Sequence, residues 1–92
     1  MTHAAETERL FLKVLDETPK EVKMKVDWSF DISTAIDNAL KKKGIGKKEL
    51  AALTGTSPAS VTRWLGGNHN FTLSTLAKIS AALGEPIISV AR

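Results

Sequence analysis

An all-α fold is predicted by two features of this sequence. Apolar residues recur at intervals of three and four along most of its 92 residues, which is the spacing of one face of an α-helix. Glycines follow these stretches at positions 44, 55, 67 and 84, where each suits the left-handed turn that commonly ends a helix. We therefore expect several helices around one modest core, because a chain of this length forms a single domain by default.

The first predicted helix covers residues 4–17 and is amphipathic. Charged side chains lie opposite an apolar stripe, which must pack on another part of the protein or on a partner. The stripe consists of Leu10, Phe11, Val14 and Leu15.

A second helix is predicted to begin within residues 18–21. Thr18 suits the N-cap, Pro19 the first helical position and Glu21 the third, which together form a capping-box start. Residues 22–30 also alternate between apolar and polar side chains, as a half-buried strand does. We favour the helix because the start signal is strong, and because one helical face would then carry Val22, Val26 and Phe30.

A third helical segment is predicted over residues 31–43, and we expect it to pack behind the two helices that follow. Three lysines at its end interact favourably with the helix dipole, and Gly44 follows them. Its apolar face consists of Ile32, Ala35, Ile36, Ala39 and Leu40.

Residues 46–67 predict two short helices joined by a four-residue turn. The apolar face of the first helix consists of Leu50, Ala51 and Leu53, and the small Ala51 suits the point where the two helices cross. Gly55 interrupts this pattern and is suited to a left-handed turn. The first helix therefore ends there.

The second of these helices has its own start and stop signals. Ser57 is a suitable N-cap, and Pro58 suits the first helical position, where no backbone N–H is needed. The apolar face that follows consists of Val61, Trp64 and Leu65, and the glycines at 66 and 67 end the helix. The two helices together form a helix-turn-helix.

A last helix is predicted over residues 73–83, with Thr72 or Ser74 as its N-cap and Gly84 as its end. Residues 87–90 are a β-branched run that predicts a strand or an extended tail. The buried stripe of the last helix is predicted to consist of Leu73, Leu76, Ile79 and Leu83.

Charge is distributed unevenly along the chain. Residues 1–31 hold five basic and seven acidic side chains, a net charge of −2, whereas residues 32–92 hold eight basic and three acidic, a net charge of +5. The basic part contains the helix-turn-helix, which is the asymmetry expected of a nucleic-acid-binding face joined to a segment with another task.

Composition argues against several other classes of protein. The chain has no cysteine, so disulfides and thiolate metal sites are unavailable. Its apolar runs are too short to span a bilayer, and residues 1–8 lack the features of a signal peptide, so we expect a cytoplasmic protein. The two histidines, His3 and His69, have no nearby partner by sequence, and we expect no enzyme, metal site or cofactor.

The helix-turn-helix and the helix after it resemble the Xre family of lambda-repressor-like DNA-binding domains. The resemblance covers about residues 32–86 and implies a helical bundle that binds double-stranded DNA. The matching residues are 48–51 in the first motif helix, 55–57 in the turn, 60–64 in the second motif helix, Gly67, and 73–84 in the last helix.

A narrower resemblance links residues 67–72 and the N-terminal helical extension to regulators related to HigA-type antitoxins. It implies a transcriptional regulator, a repressor in function, whose operon also encodes a small basic toxin. The sequence departs from the Xre pattern at Leu65, where an acidic residue is common, and at Pro58 and Ala59, where polar base-reading side chains often lie.

Roles on DNA follow from the faces of the two motif helices. With Val61 and Trp64 in the core, Arg63 is the best base reader, because a guanidinium can bind guanine through two hydrogen bonds. Lys47 and Lys48 begin the first motif helix, where phosphate contacts are favourable and where the resemblance also implies them. The other candidates are Thr62, Ser60, Ala59 and Pro58 for bases, and Ser57, Asn68, His69 and Asn70 for phosphates.

The sequence thus predicts three parts: a helical extension over residues 1–31, a DNA-binding domain over residues 32–86, and a tail over residues 87–92.

We expect a homodimer on a two-fold operator, because one short helix reads only a few base pairs. Residues 1–31 are a candidate surface for a toxin. The alternative function is a protein-interaction module that has lost DNA binding. The expected dimer contacts are Ile87, Ile88 and Val90.

Overall fold

Four helices form the fold in the computed structural model, which describes residues 19–91. They are α1 (Lys20–Lys43), α2 (Lys47–Thr54), α3 (Pro58–Trp64) and α4 (Leu73–Leu83). The described residues contain no strand, so the all-α prediction is confirmed. The predicted helix over residues 4–17 and the predicted cap at Thr18 lie outside the described residues.

Helix α1 joins two segments that the sequence predicts as separate helices. It runs for 24 residues without interruption. Residues 22–30 are therefore helical and not a strand, which confirms the alternative that the sequence favours. Its start differs by one residue from the prediction. The Pro19 carbonyl already accepts hydrogen bonds from the N–H groups of Val22 and Lys23, so Pro19 is the N-cap and not the first helical residue.

The core lies where the second half of α1 meets the three shorter helices. Helices α2 and α3 pack against each other, and α4 packs against α2. Phe71, Ile45 and Leu65 pack around this core and are partly buried. The buried apolar side chains are Ile36, Ala39 and Leu40 of α1, Leu50 and Ala51 of α2, Val61 and Trp64 of α3, and Leu76, Ile79 and Leu83 of α4.

Two leucines that were predicted to be apolar contacts of the core are exposed instead. Leu53 is 55% exposed, because Thr54 and not Leu53 completes the buried face of α2 with Leu50 and Ala51. Leu73 is 76% exposed, because it begins α4 beside an open groove that no described segment fills. Spacing alone placed both residues near the core without showing which neighbours would cover them.

The predicted caps are largely confirmed. Gly44, Gly55 and Gly84 each follow a helix in the left-handed conformation, with φ of 67°, 68° and 71°. The hydroxyls of Ser57 and Thr72 accept hydrogen bonds from the backbone N–H groups three residues later, so these residues cap α3 and α4. Local chemistry therefore set where the short helices begin.

The ends of the helix-turn-helix differ slightly from the prediction. Thr54 belongs to α2, where its hydroxyl donates to the Leu50 carbonyl at 2.8 Å, so the turn is one residue shorter than expected. Helix α3 ends at Trp64, before the glycines at 66 and 67. A short connection of this kind holds the two helices in one relative orientation.

The C-terminal tail forms no strand within the described residues. Ile87 is partly buried against the core, and its N–H donates to the Ser80 hydroxyl at 3.1 Å. Lys42 and Glu85 form an ion pair of 3.5 Å at the surface, between the end of α1 and the segment that joins α4 to the tail. The tail therefore lies along the domain, and Val90 at its end is exposed.

None of the described helices combines the length and the apolar character needed to cross a membrane.

Candidate nucleic-acid interface

Helix α3 is amphipathic in a way that leaves one side free for a ligand. Val61 and Trp64 are buried, whereas Pro58, Ala59, Thr62 and Arg63 are exposed. No acidic residue lies within α3. The exposed side is therefore neutral or positive along its whole length, as a surface that approaches DNA requires.

Three predicted contact residues form a row of hydrogen bonds along the exposed side of α3. A terminal nitrogen of Arg63, Nη2, donates to the Ser60 hydroxyl at 3.1 Å. The Ser60 hydroxyl lies 3.2 Å from that of Ser57, which also accepts the Ser60 backbone N–H. Their spacing of three residues places them on consecutive turns of the helix. The structure thus brings Ser57, Ser60 and Arg63 together.

Thr62 lies beside this row but does not belong to it. Its hydroxyl donates to the Pro58 carbonyl at 3.0 Å, so its single proton is already used within the helix. Thr62, Ala59 and Pro58 are all exposed. Their apolar groups, including the Thr62 methyl, suit a contact with the methyl group of a thymine.

The two candidate phosphate-binding lysines lie at the start of α2. Lys47 and Lys48 are exposed, and Gly46 precedes them as an N-cap with no side-chain hydrogen bond. The N–H groups of the first turn therefore lack a side-chain partner at the cap and are suited to an anion. The opposing charge in this turn is Glu49.

The loop after α3 supplies the remaining candidates. Asn68 and Asn70 are exposed, whereas His69 is half-buried with its ring edge-on to Phe71 at 4.7 Å between centroids. Because Phe71 packs against the core, this contact fixes His69 to the fold. The two asparagines are free to contact a ligand, and His69 acts more as a support for the loop.

The family of the chain is decided by a match to a model of the Cro/C1-type HTH DNA-binding domain over residues 35–87, more than half of the chain. The chain belongs to this family. The match agrees with the predicted Xre resemblance and with its limits to within a few residues. No curated protein matches the chain with significance.

One residue that supports α3, the second or recognition helix of this Cro/C1-type domain, is not among the residues predicted from the sequence. Ser33 of α1 is buried, and its hydroxyl donates to the Trp64 carbonyl at the end of α3 and accepts the Gly67 N–H at 3.1 Å. It therefore ties α1 to the end of the recognition helix. The available signal was that Ser29 and Ser33 continue the apolar stripe of Ile36 and Leu40 at helical spacing.

The described part of the domain contains no cluster of side chains suited to binding a metal ion. Within residues 19–91, no three His, Asp or Glu side chains lie close enough together to hold a metal ion. Among the predicted contact residues, hydrogen bonds join only Ser57, Ser60 and Arg63, whereas the candidate lysines lie at the start of α2 and the asparagines in the loop after α3.

Proposed function

We propose that this Cro/C1-type protein is a sequence-specific transcriptional repressor that binds a two-fold operator as a dimer. The observation that carries the proposal is the exposed side of α3, which presents Arg63 and Thr62 to solvent while Val61 and Trp64 hold the helix to the core. A helix supported in this way can enter the major groove without disturbing its own packing.

In the proposed complex, Arg63 reads a guanine and the start of α2 contacts the backbone. Lys47 and Lys48 would face a phosphate together with the N–H groups of their own helix turn. Asn68 and Asn70 would add backbone contacts from the loop. No cofactor takes part in this mechanism, and the cytoplasm is the compartment that suits it.

Binding to duplex DNA at increasing salt tests the proposal, with sites first selected from a random duplex library. Replacing Arg63 with Ala should weaken the selected site by about 1–3 kcal/mol and relax preference at one base pair. Replacing Lys47 with Ala should weaken all sequences about equally and reduce the slope of log affinity against log salt by about one unit.

The matched control for both variants is Lys78→Ala, which removes a positive charge from α4 beside the end of α2, away from the start of α2 where Lys47 lies. It should leave the salt slope unchanged. DNA binding that is absent, or that does not weaken as salt rises, would contradict the proposal and would favour the alternative, an interaction module with a helix-turn-helix fold.

The proposed dimer contact lies at the tail. Ile87 packs on the core of its own chain, so Ile88 and Val90 are the better candidates for a second copy. They border a groove of about 820 Å³, whose other apolar lining includes Trp28, Phe71 and Leu73. A two-fold contact here would cover these side chains on both copies at once.

Sedimentation at micromolar concentration tests this contact. Val90→Asp should convert the dimer to a monomer, because it places a charge in an apolar interface while leaving the core untouched. Ser74→Asp, which places the same charge at an exposed position on α4, should leave the dimer intact. A wild-type monomer under these conditions would remove the dimer from the proposal.

A toxin partner is supported by the first three turns of α1. Val22, Val26 and Phe30, which lie on one face of the helix, are 47%, 58% and 62% exposed, although each is large and apolar. Exposed apolar side chains in this number are typical of a protein-interaction surface. Together with the acidic balance of residues 1–31, they support an antitoxin that neutralises a basic partner encoded nearby.

Co-expression with the product of the neighbouring reading frame tests the antitoxin proposal. Deleting residues 1–17 should abolish binding of that product and leave DNA binding largely intact. Loss of both activities together would show that the segment has a structural role instead.

A further inference from the structure

We propose that Ser60 is a positioning residue for Arg63 and does not itself read a base. The inference deepens the proposed function and depends on it, since it divides roles among residues of the same DNA-binding surface. It starts from the hydrogen bond between the Arg63 guanidinium and the Ser60 hydroxyl, which joins two side chains on consecutive turns of α3.

The direction of the hydrogen bonds follows from the charge of Arg63. A guanidinium can only donate, so the Ser60 oxygen must accept. A cationic donor polarises the hydroxyl that it contacts, which makes the Ser60 proton a better donor to the next acceptor in the row. The Ser57 hydroxyl lies at 3.2 Å, and although geometry allows either hydroxyl to donate, the polarisation by Arg63 favours Ser60 as the donor.

This direction assigns a separate task to each side chain. The single proton of Ser60 is directed to Ser57 and is not available to a base edge. Ser57 accepts from both the hydroxyl and the backbone N–H of Ser60, so its own proton remains free to donate outward. A free hydroxyl at this end of α3 suits the phosphate contact that the sequence predicts for Ser57.

The bond to Ser60 does not prevent Arg63 from reading a guanine. One of the five guanidinium N–H groups points to Ser60, and two of the remaining four are enough for a two-bond contact. What the bond changes is the freedom of a long side chain that is exposed in the free protein. Binding then loses less side-chain entropy, because part of the ordering has already occurred.

A double-mutant cycle on the selected DNA site separates positioning from reading. Ser60→Ala should weaken that site by about 2- to 10-fold, the range expected for freeing one long side chain. In the Arg63→Ala background the same substitution should have almost no effect, because no guanidinium remains to position. Ser60→Thr, which keeps the hydroxyl, should restore most of the lost affinity.

Thr62→Val is the matched control for this cycle, since the Thr62 hydroxyl bonds to the backbone of its own helix and not to Arg63. Its effect should be the same with and without Arg63. Equal effects of Ser60→Ala in both backgrounds would show that Ser60 contacts DNA directly, and would overturn the proposal.

A measurement on the free protein distinguishes a failure of this inference from a failure of DNA binding. The ¹⁵N relaxation of the Arg63 Nε group should report greater motion in Ser60→Ala than in the wild type or in Thr62→Val. Unfolding by heat should be nearly unchanged in Ser60→Ala, because Ser57 still caps α3 through the backbone N–H of residue 60. Unaltered Arg63 motion would contradict the positioning role even for a variant that binds no DNA.

Discussion

The two tryptophans of the chain lie in regions with opposite surroundings. Trp64, at the end of the recognition helix, is 4% exposed and belongs to the core, whereas Trp28, in the first half of α1, is 60% exposed. Both follow helical apolar patterns, yet only Trp64 is covered by other helices of the described chain. The comparison teaches that one region uses its aromatic side chain to fold the domain and the other keeps it at the surface.

The largest expected effect on stability comes from removing the buried Trp64 side chain. Trp64→Ala should lower the free energy of unfolding by about 3–5 kcal/mol, because it leaves a large cavity between α1 and the helix-turn-helix. Denaturant unfolding followed by circular dichroism measures it. A loss below about 1 kcal/mol would mean that Trp64 is not a packing residue, and the contrast with Trp28 would fail.

An intermediate effect is expected at Ser33, which joins α1 to the end of the recognition helix. Ser33→Ala removes the partner of both the Trp64 carbonyl and the Gly67 N–H, and should cost about 1–3 kcal/mol of unfolding free energy. Thr34→Ala, the exposed neighbour in the same helix, is the control. Equal costs at the two positions would show that the Ser33 bonds contribute nothing measurable.

The smallest effect on folding is expected at the exposed tryptophan. Trp28→Ala should change the free energy of unfolding of the monomer by less than about 0.5 kcal/mol, because the side chain fills no core site. The same variant should weaken the proposed dimer, since Trp28 lines the groove beside Val90. Sedimentation across a concentration series measures the second effect. Destabilisation as large as that of Trp64→Ala would erase the difference between the two regions.

The predicted DNA-binding surface follows partly from the sequence and partly from contacts that only the tertiary structure shows. Arg63, Thr62 and Lys47 are exposed as the sequence predicts, because Val61 and Trp64 take the other face of α3. The sequence does not reveal that Arg63 bonds to Ser60 or that Ser33 holds the end of α3. The first contact depends on side-chain rotamers, and the second joins residues 31 positions apart.

By itself, the sequence determined the helical class, the starts of α3 and α4 at Pro58 and Leu73, and the glycine ends of three helices. These features depend on hydrogen bonds within a few residues, so local chemistry is sufficient to specify them. Only the tertiary structure decided that Leu53 and Leu73 are exposed, that α1 is one continuous helix, and that Ser33 supports the recognition helix. Burial depends on which distant segment of the chain covers a side chain. The spacing of apolar residues along one helix does not indicate which segment that is.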